Sequence, residues 1–102
     1  MKIKEGVKIE GLHIKMRPVL IACERIWKEN GQELVVTSGL NGIHSAGSLH
    51  YYGRAVDLRT RYFDSRERID RIAEMVRTEL GQDYDVVVEN SHIHAEWDKK
   101  GV

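Results

Sequence analysis

Residues 48–57 read SLHYYGRAVD. This stretch runs into a short apolar segment, residues 55–59, whose length and composition are typical of a strand. It carries an imidazole at His50 and a carboxylate at Asp57, and Gly53 between them allows the backbone to turn. Because a buried carboxylate is costly without a partner, an aspartate inside an apolar strand indicates a position with a specific partner.

A second cluster lies near the C-terminus, where residues 89–94 read ENSHIH. Alternate residues of a strand share a face, so His92 and His94 are predicted to point the same way while Ile93 faces the core. A zinc ion in a hydrolase is bound by neutral imidazoles and one carboxylate. Its remaining coordination position is left for water. Taken alone, a His-x-His pair is more often a polar strand face than a metal site. Combined with the imidazole and carboxylate of the first stretch, it favours a zinc hydrolase.

Two other segments have the apolar spacing of helices. Apolar side chains recur at helical intervals over about residues 16–30, and again in a segment that ends at Gly81. Pro18 suits the first turn of the first helix, where its missing N–H costs nothing. For the second helix, Asp64 followed three residues later by Glu67 predicts a capping-box variant with Asp64 as N-cap.

Short segments that contain β-branched or alternating apolar residues predict the strands. They cover residues 33–38, 55–59, 84–89 and 92–97. Asn90-Ser91 is predicted to join the last two as a tight turn, and the first 14 residues alternate loosely enough to form either a strand or an extended arm. This order predicts an α+β fold, with two main helices packed on a small, mostly antiparallel sheet.

Length and composition restrict the classes of protein to consider. A chain of 102 residues predicts a single domain over residues 1–102. Basic and acidic residues both count 16, and this zero net charge argues against a dedicated nucleic-acid-binding protein. No apolar run approaches the roughly eighteen residues of a membrane span, and the N-terminus does not resemble a signal peptide. We therefore expect a monomer made in the cytoplasm, with no membrane partner, and a buried rather than catalytic thiol at Cys23.

The pattern S-x-H-x-x-G-x-A-x-D over residues 48–57, followed by a glutamate and His-x-His, resembles the zinc D-Ala-D-Ala carboxypeptidase and hedgehog superfamily. That group includes D-Ala-D-Ala dipeptidases, phage endolysins that cut L-alanyl-D-glutamate bonds in peptidoglycan, and hedgehog-type domains. The resemblance spans about residues 35–98, and the residues after Asp57 and His94 are similar to phage-type members. It implies a hedgehog/DD-peptidase-like fold and one zinc ion (Zn2+) per chain.

The resemblance also implies a role for each matching residue. His50, Asp57 and His94 match the three zinc ligands of the family. Glu89 matches the carboxylate that takes a proton from the attacking water and returns it to the leaving amine. His92 is similar to the histidine that does not bind zinc but donates a hydrogen bond to the developing oxyanion. The alternative for Glu89 is a solvated residue at the end of a strand.

The resemblance to the family is less complete for the residues that bind the substrate. Many peptidases of this group carry an arginine shortly after the Ser-Gly of the preceding strand, where this chain has Asn41. Ser48 is expected to orient the first cluster by hydrogen bonding. Trp97 either contacts substrate or packs beneath the site. The candidates to replace the missing arginine are Arg54, Arg59 and Arg61.

Two functions follow from this resemblance. The leading expectation is a zinc peptidase that hydrolyses peptidoglycan stem peptides, as a phage or prophage lytic enzyme or a recycling enzyme. Without a signal peptide, such an enzyme would reach the cell wall through a lysis partner or by injection. The alternative is a zinc-containing binding or structural module of the same fold. Glu89 and His92 favour the enzyme, because a structural zinc needs neither.

Overall fold

The computed structural model describes residues 1–40 and 53–98. The described chain is α+β, as the sequence predicted, with two helices and a five-stranded sheet. In chain order the elements are β1 (Lys2–Ile3), a 3-10 turn (Ile14–Met16), α1 (Arg17–Glu29), β2 (Val35–Ser38), β3 (Ala55–Arg59), α2 (Arg66–Leu80), β4 (Tyr84–Val88) and β5 (His92–Trp97).

The strands lie in the order β1-β2-β3-β5-β4. The first pair is parallel and the other three are antiparallel. The N-terminal segment takes the strand alternative, because Lys2 N donates to Leu34 O at 2.8 Å and Lys4 N to Val36 O at 3.0 Å. β3 and β5 have the predicted bounds. β2 begins two residues later than predicted and β4 ends one residue earlier.

The core lies between one face of the sheet and the two helices. Trp27 of α1 is fully buried, and its Nε1 donates to Arg59 O at 2.9 Å, which satisfies the indole on the central strand β3. Cys23 is also fully buried, as predicted, and burial raises the pKa of its thiol to about 12. The sheet contributes these fully buried side chains: Val36, Val56, Leu58, Ile93 and Ala95.

The start of the first helix agrees with the prediction and that of the second does not. The first helix is predicted over about residues 16–30, and α1 covers Arg17–Glu29 after a 3-10 turn at Ile14–Met16. The N-cap of α2 is Ser65, so the prediction of Asp64 was wrong. Ser65 Oγ accepts from Arg68 N at 3.1 Å, whereas Asp64 Oδ1 accepts from Arg68 Nε at 2.9 Å. The serine has the extended backbone that an N-cap requires, with φ −156° and ψ 157°.

Two turns position the strands that carry the candidate site. Glu89 N donates to His92 O at 2.8 Å and closes a two-residue hairpin at Asn90-Ser91, as predicted. No described non-glycine residue has a positive φ, so this turn is not the usual I′ or II′ type. Before β3, Gly53 has φ +70°, and an added Cβ would lie 2.6 Å from Gly11 O.

Within the described ranges, neither helix has the length and apolar character that crossing a bilayer requires.

Candidate metal centre

The centre of the sheet brings together residues from both sequence clusters. In the register of β3 and β5, Asp57 lies directly opposite His94, and Arg59 lies opposite His92. Alternation along β5 buries Ile93 completely and leaves both histidines half-buried on the face away from the helices. The predicted orientation of the His-x-His pair is therefore observed.

Both imidazoles approach the Asp57 carboxylate. His94 Nδ1 lies 3.0 Å from Asp57 Oδ1, and His92 Nε2 lies 3.6 Å from Asp57 Oδ2. In a tetrahedral site with bonds of about 2.0–2.1 Å, two ligand atoms are about 3.3 Å apart. The distance between the two predicted ligands, His94 Nδ1 to Asp57 Oδ1 at 3.0 Å, is close to that value, and imidazole nitrogen with carboxylate oxygen is a zinc donor set. These residues therefore fit a zinc ion.

The second nitrogen of His94 is also engaged. Its Nε2 lies 2.7 Å from Glu96 Oε1, so the ring sits between two carboxylates. The hydrogen bond with Asp57, against the opposing effect of burial and together with the hydrogen bond to Glu96, raises the pKa of His94 to about 8. In the metal-free protein near neutral pH, His94 is thus an imidazolium that donates from both nitrogens.

His92 has a different second partner. Ser91 Oγ lies 3.1 Å from its Nδ1. A hydrogen bond donated by the Ser91 hydroxyl leaves the ring proton on Nε2, the nitrogen that faces Asp57. In that state His92 can donate a hydrogen bond into the site.

Glu89 is exposed and lies between the end of β4 and the Asn90-Ser91 turn that leads to His92. The β4–β5 register pairs Val87 with His94, so two residues further along, Glu89 lies opposite His92. Residues directly opposite in an antiparallel pair place their side chains on the same face. The predicted general base is therefore on the face that carries Asp57.

Trp97 and Arg54, two predicted substrate-binding residues, do not contact the Asp57–His94 pair in the described part of the chain. Trp97 alternates to the opposite face of β5 from His94, and its ring stacks on His13 with centroids 4.5 Å apart. Arg54 Cζ lies 4.7 Å from the centre of the Trp97 ring, and Arg54 O accepts from Trp97 N at 2.8 Å. This arrangement favours packing beneath the site over contact with a substrate on the Asp57 face.

Three other predicted site residues lie outside the described ranges. They are His50, Ser48 and Asn41. The assignment of His50 as third ligand and the proposed roles of Ser48 and Asn41 therefore stay predictions.

Glu96 contacts the site but is not among the residues that the sequence motifs predict for it. The sequence contains the pattern that places Glu96 beside His94. His92, His94 and Glu96 are alternate residues of one predicted strand, so their side chains share a face. Glu96 also lies opposite Asp85 in the register, and carboxylate oxygens of Asp85, Glu96 and Asp98 are all within 4.8 Å of one another. By distance this acidic group could hold a cation, although Glu96 already binds His94.

Comparison with known proteins gives one partial similarity. The chain is 34% identical over 82 residues to the Indian hedgehog B protein of Danio rerio. The match covers 78% of the chain but 19% of that protein, so the chain spans about a fifth of the relative's length. No protein-family model matches the chain.

Proposed function

We propose that this protein is a zinc-dependent peptidase that hydrolyses peptide bonds of peptidoglycan stem peptides, of the D-Ala-D-Ala or L-Ala-D-Glu type. The observation that carries the proposal is the pairing of Asp57 with His94 across β3 and β5, with a second imidazole from His92 beside it. The similarity to a segment of Indian hedgehog B supports it, because the superfamily that the sequence motifs resemble joins hedgehog-type domains with these peptidases.

Asp57 and His94 would hold the zinc ion, with His50 as the predicted third ligand. When bound, zinc supplies Lewis-acid polarisation of a water molecule and of the scissile carbonyl. The side chain of Asp57 is 15% exposed, so its attraction for a cation is weakened less by bulk water than that of a fully exposed carboxylate.

Glu89 and His92 would then carry the proton and charge transfers. The Glu89 carboxylate accepts a proton from water as the water oxygen attacks the carbonyl carbon. His92 Nε2–H donates a hydrogen bond to the oxygen on which negative charge develops. As the C–N bond breaks, Glu89 returns the proton to the leaving amine, so its carboxylate is regenerated.

A second candidate is a zinc-containing binding or structural module without peptidase activity. The partial match to Indian hedgehog B favours it, since hedgehog-type domains serve as protein ligands. The placement of Glu89 beside His92 on the Asp57 face supports the enzyme instead, because a module that only holds zinc needs no general base.

Incubation of zinc-loaded protein with purified peptidoglycan fragments separates the two candidates. Mass spectrometry of the products should show one cleaved bond in the stem peptide, at D-Ala-D-Ala or at L-Ala-D-Glu. Protein stripped of zinc is the matched control and should leave the fragments intact. Zinc-loaded protein that cleaves none of the fragments would exclude the peptidase and leave the binding module.

A further inference from the structure

Glu96 is outside the predicted ligand set but contacts one of its members. We infer that Glu96 is a positioning residue, whose carboxylate accepts a hydrogen bond from His94 Nε2–H and so presents His94 Nδ1 to the metal. The inference rests on the zinc site of the proposed function and assigns a role within it.

The geometry of the His94 ring determines which nitrogen faces the metal. Nδ1 points to Asp57 Oδ1 at 3.0 Å, and Nε2 points to Glu96 Oε1 at 2.7 Å. A neutral imidazole has one nitrogen free to bind a metal and one that carries a proton. Since Asp57 is itself a ligand, the metal must lie on the Nδ1 side, and the proton remains on Nε2.

The contact between His94 and Glu96 is better shielded than the surface ion pairs of the molecule. The two side chains are 19% and 22% exposed, compared with 65% and 57% for Arg66 and Asp70. A hydrogen bond to a carboxylate in such a position is stronger and better ordered than an exposed one. It can therefore fix the ring orientation before a metal arrives.

The same reasoning distinguishes the two histidines. Histidines that bind metals usually donate their second N–H to a carboxylate or a carbonyl oxygen. His94 has such an acceptor in Glu96, whereas the second nitrogen of His92 faces the Ser91 hydroxyl at 3.1 Å. This contrast supports His94 as the ligand of the pair.

Zinc affinity, measured by competition with a chelator, tests the role of Glu96. Glu96→Ala should bind zinc about 10- to 100-fold more weakly than wild type, the usual effect of losing such a partner. Asp85→Asn is the matched control, because Asp85 is the register partner of Glu96 and belongs to the same acidic group. It should change zinc affinity much less than Glu96→Ala does.

Nitrogen NMR of labelled, zinc-loaded wild-type protein provides a readout that does not depend on how a variant folds. The His94 proton should be on Nε2. A proton on Nδ1, an unchanged zinc affinity in Glu96→Ala, or an equal loss in Asp85→Asn would each overturn the inference while leaving the zinc site in place. Wild-type protein that binds no zinc would overturn the proposed function together with the inference.

Discussion

At the scale of single residues, the two histidines of β5 have separable roles. His94 makes the shorter contact with Asp57, with 3.0 Å between Nδ1 and Oδ1. The contact of His92 is longer, with 3.6 Å between Nε2 and Oδ2. We predict that His94→Ala loses the zinc ion, while His92→Ala keeps close to one zinc per chain. Metal analysis of the purified variants measures this. The reverse result, with zinc retained in His94→Ala and lost in His92→Ala, would show that the roles are exchanged.

The carboxylates around His94 also predict how stability depends on pH in the metal-free protein. The pKa of His94 is raised from 6.5 to about 8, so the folded state holds this proton more tightly than the unfolded chain does. The stabilisation is complete below pH 6.5 and is lost as the pH rises through 8. We expect the free energy of unfolding to fall by about 1 kcal/mol between pH 6 and 9, roughly half of the full linkage value, because solvent screens the partly exposed ring.

Denaturant unfolding at several pH values, with a chelator present, measures this change. His94→Gln is the control and should lack most of the fall. An equally steep fall in His94→Gln would assign the pH dependence to other groups. Zinc binding should show the opposite trend and tighten as the pH rises, because zinc competes with the proton for Nδ1.

At the scale of elements, the start of α2 offers a direct test of the capping correction. Ser65 Oγ accepts from Arg68 N, whereas Asp64 forms an exposed ion pair with the Arg68 side chain. Ser65→Ala should therefore lower the free energy of unfolding by about 1 kcal/mol. Asp64→Ala is the control and should cost less, because exposed ion pairs contribute little. A larger loss in Asp64→Ala than in Ser65→Ala would identify Asp64 as the N-cap instead.

The elements differ in how well the sequence predicts them. The predicted bounds of β3 and β5 are confirmed, because both strands alternate core-facing and polar side chains and both follow turn residues. β1 was ambiguous since it is two residues long and exists through its hydrogen bonds to β2. The N-cap of α2 was wrong because Asp64 and Ser65 are both good caps, and the backbone conformation decides between them.

At the scale of the whole molecule, the site depends on contacts that no local pattern contains. The period of a strand predicted that His92 and His94 share a face, but not that β5 lies beside β3. That adjacency joins residues 37 positions apart, and it results from α2 crossing over so that β5 lies between β3 and β4. The contact between His94 and Glu96, by contrast, could be predicted from the sequence, because the two residues are two positions apart on one strand.

The most direct test of the central claim is to replace Glu89 by glutamine and measure hydrolysis and zinc content on the same samples. Glutamine keeps the shape of the side chain but removes the carboxylate that accepts the proton. We predict that hydrolysis of stem peptides falls by about two to four orders of magnitude, while zinc content stays near one per chain. Hydrolysis as fast as wild type, with zinc retained, would contradict the proposed mechanism.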